Sequence, residues 1–251
     1  MKQLFLFICG IFLSFNILAL EPTAVIKEAN ALYAKNNFEQ ALTKYLSVMD
    51  AGYESAELYF NIGNSYFKTH SIKSAILFYE RAKLLNPGDK DIAYNLDMAR
   101  TFTIDKIEAM PELFFVTWSN WLRNQISANG WAAISTLSFI IALLLLLLFL
   151  LSGKIALKKL GFWFGIVILF ISLTAFNMGY QLKRNQTAQN TAIIFTPTIT
   201  VKSSPDLSGN NLFVLHEGTK VEIVDKVGDW REIRIADGNR GWVKLTDIEP
   251  I

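Results

Sequence analysis

The chain has 251 residues, a net charge of +2 and 52% apolar residues. This near-neutral balance gives no basic footprint for nucleic acid, and the single cysteine, Cys9, supplies neither an internal disulfide nor a thiolate metal site. The length leaves room for two small domains beside two apolar spans.

Residues 1–20 have the pattern of an export signal: Lys2, an apolar run over 4–13, and a change to polar residues at Glu21 and Pro22. Ala19 is small but Ile17 is not, so cleavage and retention as a third anchor both stay open. Either outcome places Glu21 onward outside. Cys9 follows the bulky Phe7 and Ile8 and is read as apolar filler rather than a lipidation site.

Residues 21–107 carry an internal repeat. The clearer copy spans 56–89, with Tyr59, Ile62, Gly63, Tyr66, Ala75, Tyr79, Ala82 and Pro87 at large, small, aromatic and terminating positions. This pattern resembles a tetratricopeptide repeat, whose period is about 34 residues. Shifting back by that period finds Val25, Ala29, Leu32, Ala41, Tyr45 and Val48, with Asn37 and Phe38 in the turn. Shifting forward finds Ala93, Leu96, Asp97 and Arg100 in a capping helix expected over 92–107. Each helix pair has an apolar face that only its neighbour can bury.

The resemblance implies a concave groove lined by each first helix, here by Asn30, Tyr33, Phe60, Asn64, Phe67, Tyr94 and Met98. Asparagine amides can serve a peptide backbone as both donor and acceptor; the competing reading is that the aromatics simply pack. Ile26 and Asp91 stand where a carboxylate clamp needs basic residues, so capture of a peptide C-terminus is not expected.

Residues 108–130 gather Phe114, Phe115, Trp118, Trp121, Leu122 and Ile126 toward one side at helical spacing, with Pro111 placed as an early helical residue. Such an aromatic segment beside a span suits the membrane interface; a partner-binding helix is the alternative.

Residues 131–182 contain two uncharged apolar runs, 134–151 and 160–182. At about 1.5 Å per residue, each crosses the ~30 Å hydrocarbon core of a bilayer. Lys154, Lys158 and Lys159 in the short loop vote for a cytoplasmic loop, which puts both flanks outside. Arg123, Lys183 and Arg184 vote the other way, and the inverted topology is the alternative. Neither run contains an ionisable residue to mark an ion path. Gly161 and Gly165 have the small-xxx-small spacing that lets helices approach.

Residues 183–197 are read as a polar linker, and 198–251 as a small β domain of short alternating runs punctuated by Gly, Pro and Asp. The Glu217-Gly218-Thr219 turn and the Gly241-Trp242-Val243 strand resemble a bacterial SH3 domain; Lys202-Ser203-Ser204-Pro205 departs mildly from its Arg-Ser-Gly-Pro pattern. Trp230 and Trp242 are either core or ligand platforms, and Trp230, beside Asp229, is the better candidate for a ligand face.

No metal cluster, P-loop, nucleophile elbow or Cys-His pair stands out. No enzyme activity and no cofactor is expected. The fold class is thus a multi-domain membrane protein: α-helical tetratricopeptide repeats, a two-helix transmembrane hairpin and a small all-β SH3-like barrel.

That order resembles the BatE-type proteins of the Bacteroides aerotolerance operons over essentially the whole mature chain. The resemblance implies a bacterial inner-membrane protein with both domains periplasmic. It also implies partners among other Bat proteins, including membrane-anchored von Willebrand A-domain proteins, and a role in stress tolerance or envelope maintenance. A peptidoglycan-binding anchor acting through the SH3-like domain is the alternative function.

Overall fold

The structure, a computed structural model, describes residues 22–251; the expected export signal lies outside them. The chain divides into two compact units, ending and resuming at Tyr53 and Glu54.

In the first unit, α1 (Pro22–Ala34) and α2 (Phe38–Asp50) form a helical hairpin. Its buried positions are Ala29, Ala41, Tyr45 and Val48, the spacing of an amphipathic pair. The turn is made by Asn36 at φ 61°, a left-handed conformation that asparagine tolerates. Tyr45 donates its hydroxyl to Asn30 Oδ1.

The second unit begins with the same device. α3 (Ala56–Lys68), capped by Ser55, packs on α4 (Ile72–Leu85), and Tyr79 donates to Asn64 Oδ1 at 2.7 Å. His70 occupies the left-handed turn position at φ 62°. The Asn–Tyr bond and the left-handed turn thus recur 34 residues on, from Asn30, Tyr45 and Asn36 to Asn64, Tyr79 and His70. Gly63 lies against the Tyr79 ring, where an added Cβ would sit 2.6 Å from Cδ1.

α5 (Lys90–Arg100) closes this helical region, capped by Asp89, which accepts from the Asp91 and Ile92 amides. The helix expected to run to residue 107 stops at Arg100. Residues 103–110 instead form an irregular strap along the β domain: Ile107 packs against the β core, and Met110 N donates to Ala236 O.

After α6 (Phe114–Arg123) come α7 (Ala128–Leu151) and α8 (Ile155–Ala188), both long and apolar enough to cross a membrane. Their packing is inside-out. Apart from Leu182 near the end of α8, the buried residues are small, among them Ser138, Ala142, Gly161, Ser172, Ala175 and Gly179. The large apolar side chains face outward. Ser135 Oγ donates to Ser172 O at 3.0 Å, and Ser172 Oγ returns a bond to Ser135 O at 2.9 Å. Gly161 and Gly165 both face Leu145, and a Cβ on Gly161 would meet Leu145 O at 2.7 Å.

α8 has 34 residues, about 51 Å at a rise of roughly 1.5 Å, so its C-terminal turns extend beyond the apolar stretch. Gln186 Nε2 there donates to Leu84 O at the end of α4. The segment read as a polar linker is therefore the end of α8 followed by a strand.

The β domain is one antiparallel sheet of seven strands: β1 (Thr191–Ile194), β2 (Thr198–Lys202), β3 (Asn211–His216), β4 (Lys220–Val227), β5 (Trp230–Arg234), β6 (Arg240–Lys244) and β7 (Ile248–Pro250). The spatial order is β3-β2-β6-β5-β4-β1-β7, with bulges at Val201/Lys202 and between Ile223 and Asp225. Alternate residues supply the core, among them Ile194, Val201, Leu215, Val221, Ile233 and Val243. β1 is also buried through Ile193, outside that core cluster, and lies against α4.

Candidate binding surfaces

Two surfaces and one junction stand out. The junction joins α4 to the β domain and rests on Glu80, whose side chain is 4% exposed. Lys220 of β4 reaches Glu80 Oε2 at 2.7 Å, and Arg100 of α5 reaches Oε1. Burial alone would raise this carboxyl, but the Lys220 and Arg100 charges outweigh it and hold it below its ordinary value.

Along the same helix, Lys73 binds Glu217 at 2.7 Å and the Phe195 carbonyl at 2.9 Å, and Arg81 donates to Pro250 O at 2.7 Å. The strap adds Asp105, which accepts from His216 N, His216 Nδ1 and Thr219 Oγ1 at 2.7–2.8 Å. Burial again opposes ionisation of Asp105, but these hydrogen bonds prevail and its carboxyl is also held low. Gly218 at φ +87° fits the turn between β3 and β4, and an added Cβ would lie 2.8 Å from Thr103 Cγ2.

A cavity of about 740 Å³ opens between the strap and β1, β4 and β5. Among its charged lining residues, Arg234 pairs with Glu222, and Arg100 and Lys220 pair with the neighbouring Glu80.

The first surface is the side of α3 that faces α5. Asn95 Nδ2 donates to Asn64 Oδ1 at 2.9 Å, so that oxygen receives bonds from both Tyr79 and Asn95. Among the described residues, Asn64 Nδ2 and Asn95 Oδ1 have no hydrogen-bond partner. Phe60 packs on Tyr79 with ring centres 5.9 Å apart, and Phe67 meets Phe102 edge-on at 5.6 Å. Tyr94 and Met98, one turn apart on α5, are exposed.

Five of the seven expected groove residues, Phe60, Asn64, Phe67, Tyr94 and Met98, thus belong to α3 and α5. Asn30 and Tyr33 belong to the first unit, where Tyr33 stacks edge-on against Phe38 at 5.0 Å. Phe102 and Asn95 were not anticipated. Phe102 continues the i, i+4 stripe of Tyr94 and Met98, a signal present in the sequence. The Asn95–Asn64 bond depends on how the helices pack.

The second surface is on the β domain. Trp230 opens β5 just after the Gly228-Asp229 turn, opposite Val227 and Lys244, and is half-buried. Trp242 is half-buried between Lys202 and Glu232 on neighbouring strands. α4 meets the β domain at Phe195, Glu217, Lys220 and Pro250, none of which lies in the turn carrying Trp230.

This antiparallel domain is a small binding module. Residues 197–248 match the bacterial SH3 domain family, which points to binding of peptidoglycan or protein. The chain is also 36% identical over 86 residues to a bovine (Bos taurus) protein described as BBSome complex member BBS4. That match covers 33% of this chain and 17% of the bovine protein's length.

Proposed function

We propose that the chain is a non-enzymatic, membrane-anchored scaffold of the BatE type, presenting a peptide-binding groove and an SH3 module together on the outer side of a bacterial inner membrane. The observation that carries this reading is the Glu80 junction, which joins two binding modules into one head above an inside-out helical hairpin. Fixing two modules on one body raises their effective concentration toward shared partners. The partners are other Bat proteins, including membrane-anchored von Willebrand A-domain proteins.

The helical hairpins are read as tetratricopeptide repeats, supported by the 34-residue recurrence of the Asn–Tyr bond and the left-handed turn. Membrane insertion is supported by two apolar helices that bury small residues and turn leucines and phenylalanines outward; a soluble core helix does the reverse. Lys154, Lys158 and Lys159 support a cytoplasmic connecting loop, against the opposing charges of Arg123, Lys183 and Arg184. The bovine relative's description as a complex member agrees with a scaffold role.

A second reading, a peptidoglycan anchor, is favoured by the bacterial SH3 match and by the position of Trp230 away from α4.

Pull-down of the full chain from its native membrane in mild detergent, followed by mass spectrometry, separates the two. The comparison is with Tyr94→Ala/Met98→Ala/Phe102→Ala, whose side chains are exposed and whose loss leaves the helical core intact. The scaffold reading expects von Willebrand A-domain proteins with the wild type and at least a tenfold loss with the variant, the equivalent of about 1.4 kcal/mol. Equal recovery of cell-wall fragments by both forms, without those proteins, favours the anchor.

A further inference from the structure

α6 is amphipathic in the inverted sense. Phe114, Trp118 and Trp121, spaced four and three residues apart, are 84%, 63% and 59% exposed, and Leu113 and Phe115 extend the same apolar surface. Its later polar residues, Ser119, Asn120 and Arg123, are partly buried, whereas Thr117 stays exposed. Arg123 Nη1 donates to Gln181 Oε1 of α8 at 2.6 Å, and Nη2 to Asn120 Oδ1 at 2.7 Å.

A helix facing water places these groups the other way round, because exposing two indoles and two phenyl rings to water is unfavourable. The arrangement continues that of α7 and α8, which also keep polar atoms inside and apolar side chains outside. It is continuous with them in space as well. Trp131 Nε1, in the first turns of α7, donates to Arg123 O, and α6 contacts α8 near its head-side end.

We propose that α6 is a lipid-docking helix whose Phe114–Trp118–Trp121 face sits in the headgroup–acyl boundary of the leaflet next to the head. This rests on the membrane reading of α7 and α8. Aromatic side chains favour that layer because their rings take the apolar side and the indole N–H the wet side. The consequence is mechanical. α6 follows the strap, which is bonded to the β domain through Asp105 and Met110, so a helix held in lipid fixes the orientation of the head to the membrane plane.

The test uses the full chain in nanodiscs of mixed phosphatidylcholine and phosphatidylglycerol, with acyl chains brominated near the carbonyl or near the terminal methyl. Tryptophan quenching is compared between wild type and Trp118→Phe/Trp121→Phe, which keeps the apolar face. The variant is expected to lose the part of the shallow-bromine quenching that Trp118 and Trp121 supply, while Trp131 at the start of α7 and Trp163 in α8 keep theirs. Loss of no shallow quenching, with Trp163 still quenched, overturns the proposal and leaves α6 facing water or protein. Absence of Trp163 quenching in both forms defeats the underlying membrane reading instead.

Discussion

In Glu80→Gln, the head is expected to melt at a lower temperature, and the β domain to separate from α4 before the helices unfold. Removing one partner of a buried ion pair costs about 3–5 kcal/mol. Arg100 and Lys220 are 41% and 40% exposed, however. They stay hydrated in the variant, so the loss falls lower, at roughly 2–3 kcal/mol. Arg100→Ala with Lys220→Ala is the harsher change, because it strands a carboxylate whose side chain is 4% exposed. Its loss belongs at the upper end of the range. Calorimetry of the full chain in nanodiscs gives the size, and tryptic cleavage at Lys106 in the strap reports separation of the domain. Unchanged melting and cleavage in both variants would show that the junction does not hold the head together.

The same junction sets a pH dependence. The folded head holds Glu80 and Asp105 below their ordinary values of 4.5 and 3.8, so both stay charged to lower pH than in the unfolded chain. Their stabilisation is complete above those ordinary values and is lost as pH falls through the depressed folded ones. The wild-type midpoint should therefore decline below about pH 4, and Glu80→Gln/Asp105→Asn should flatten that limb.

Arginine at Ile140 and Ile171 gives the second large effect. Both residues lie midway along the apolar stretches of α7 and α8 and are 49% and 43% exposed. On a water-facing surface such a substitution changes stability by only about ±0.5 kcal/mol. At the centre of a span each arginine opposes insertion by about 2.5–3.5 kcal/mol. The double variant should therefore shift from the carbonate-resistant membrane pellet to the extractable fraction or to degradation. A double variant as firmly retained as the wild type contradicts the spanning role.

What was legible in the sequence was whatever local periodicity encodes. The apolar runs of α7 and α8, the repeat from Asn30 to Asn64, and the short alternating strands after Thr198 each follow from residues within a few turns of one another. The misread parts needed distant partners. Residues 191–194 sat in an apparent polar linker, yet Ala192, Ile193 and Ile194 are fully buried because the strand has the β core on one face and α4 on the other.

Glu80 carries no local signal of its role in the sequence. Its partner Lys220 lies 140 residues away, and no local pattern announces such a pairing. The strap was masked in the same way: Asp105 meets His216 and Thr219 at separations of 111 and 114 residues.

Placement of the head outside the membrane is tested most directly by cysteine labelling in intact spheroplasts, with Cys9 replaced by serine. A membrane-impermeant maleimide is applied to Asp206→Cys in the exposed loop after β2 and to Lys158→Cys near the start of α8. The account predicts that Asp206→Cys labels in intact cells and Lys158→Cys only after lysis. Labelling of Lys158→Cys alone in intact cells would put both binding modules in the cytoplasm and contradict it.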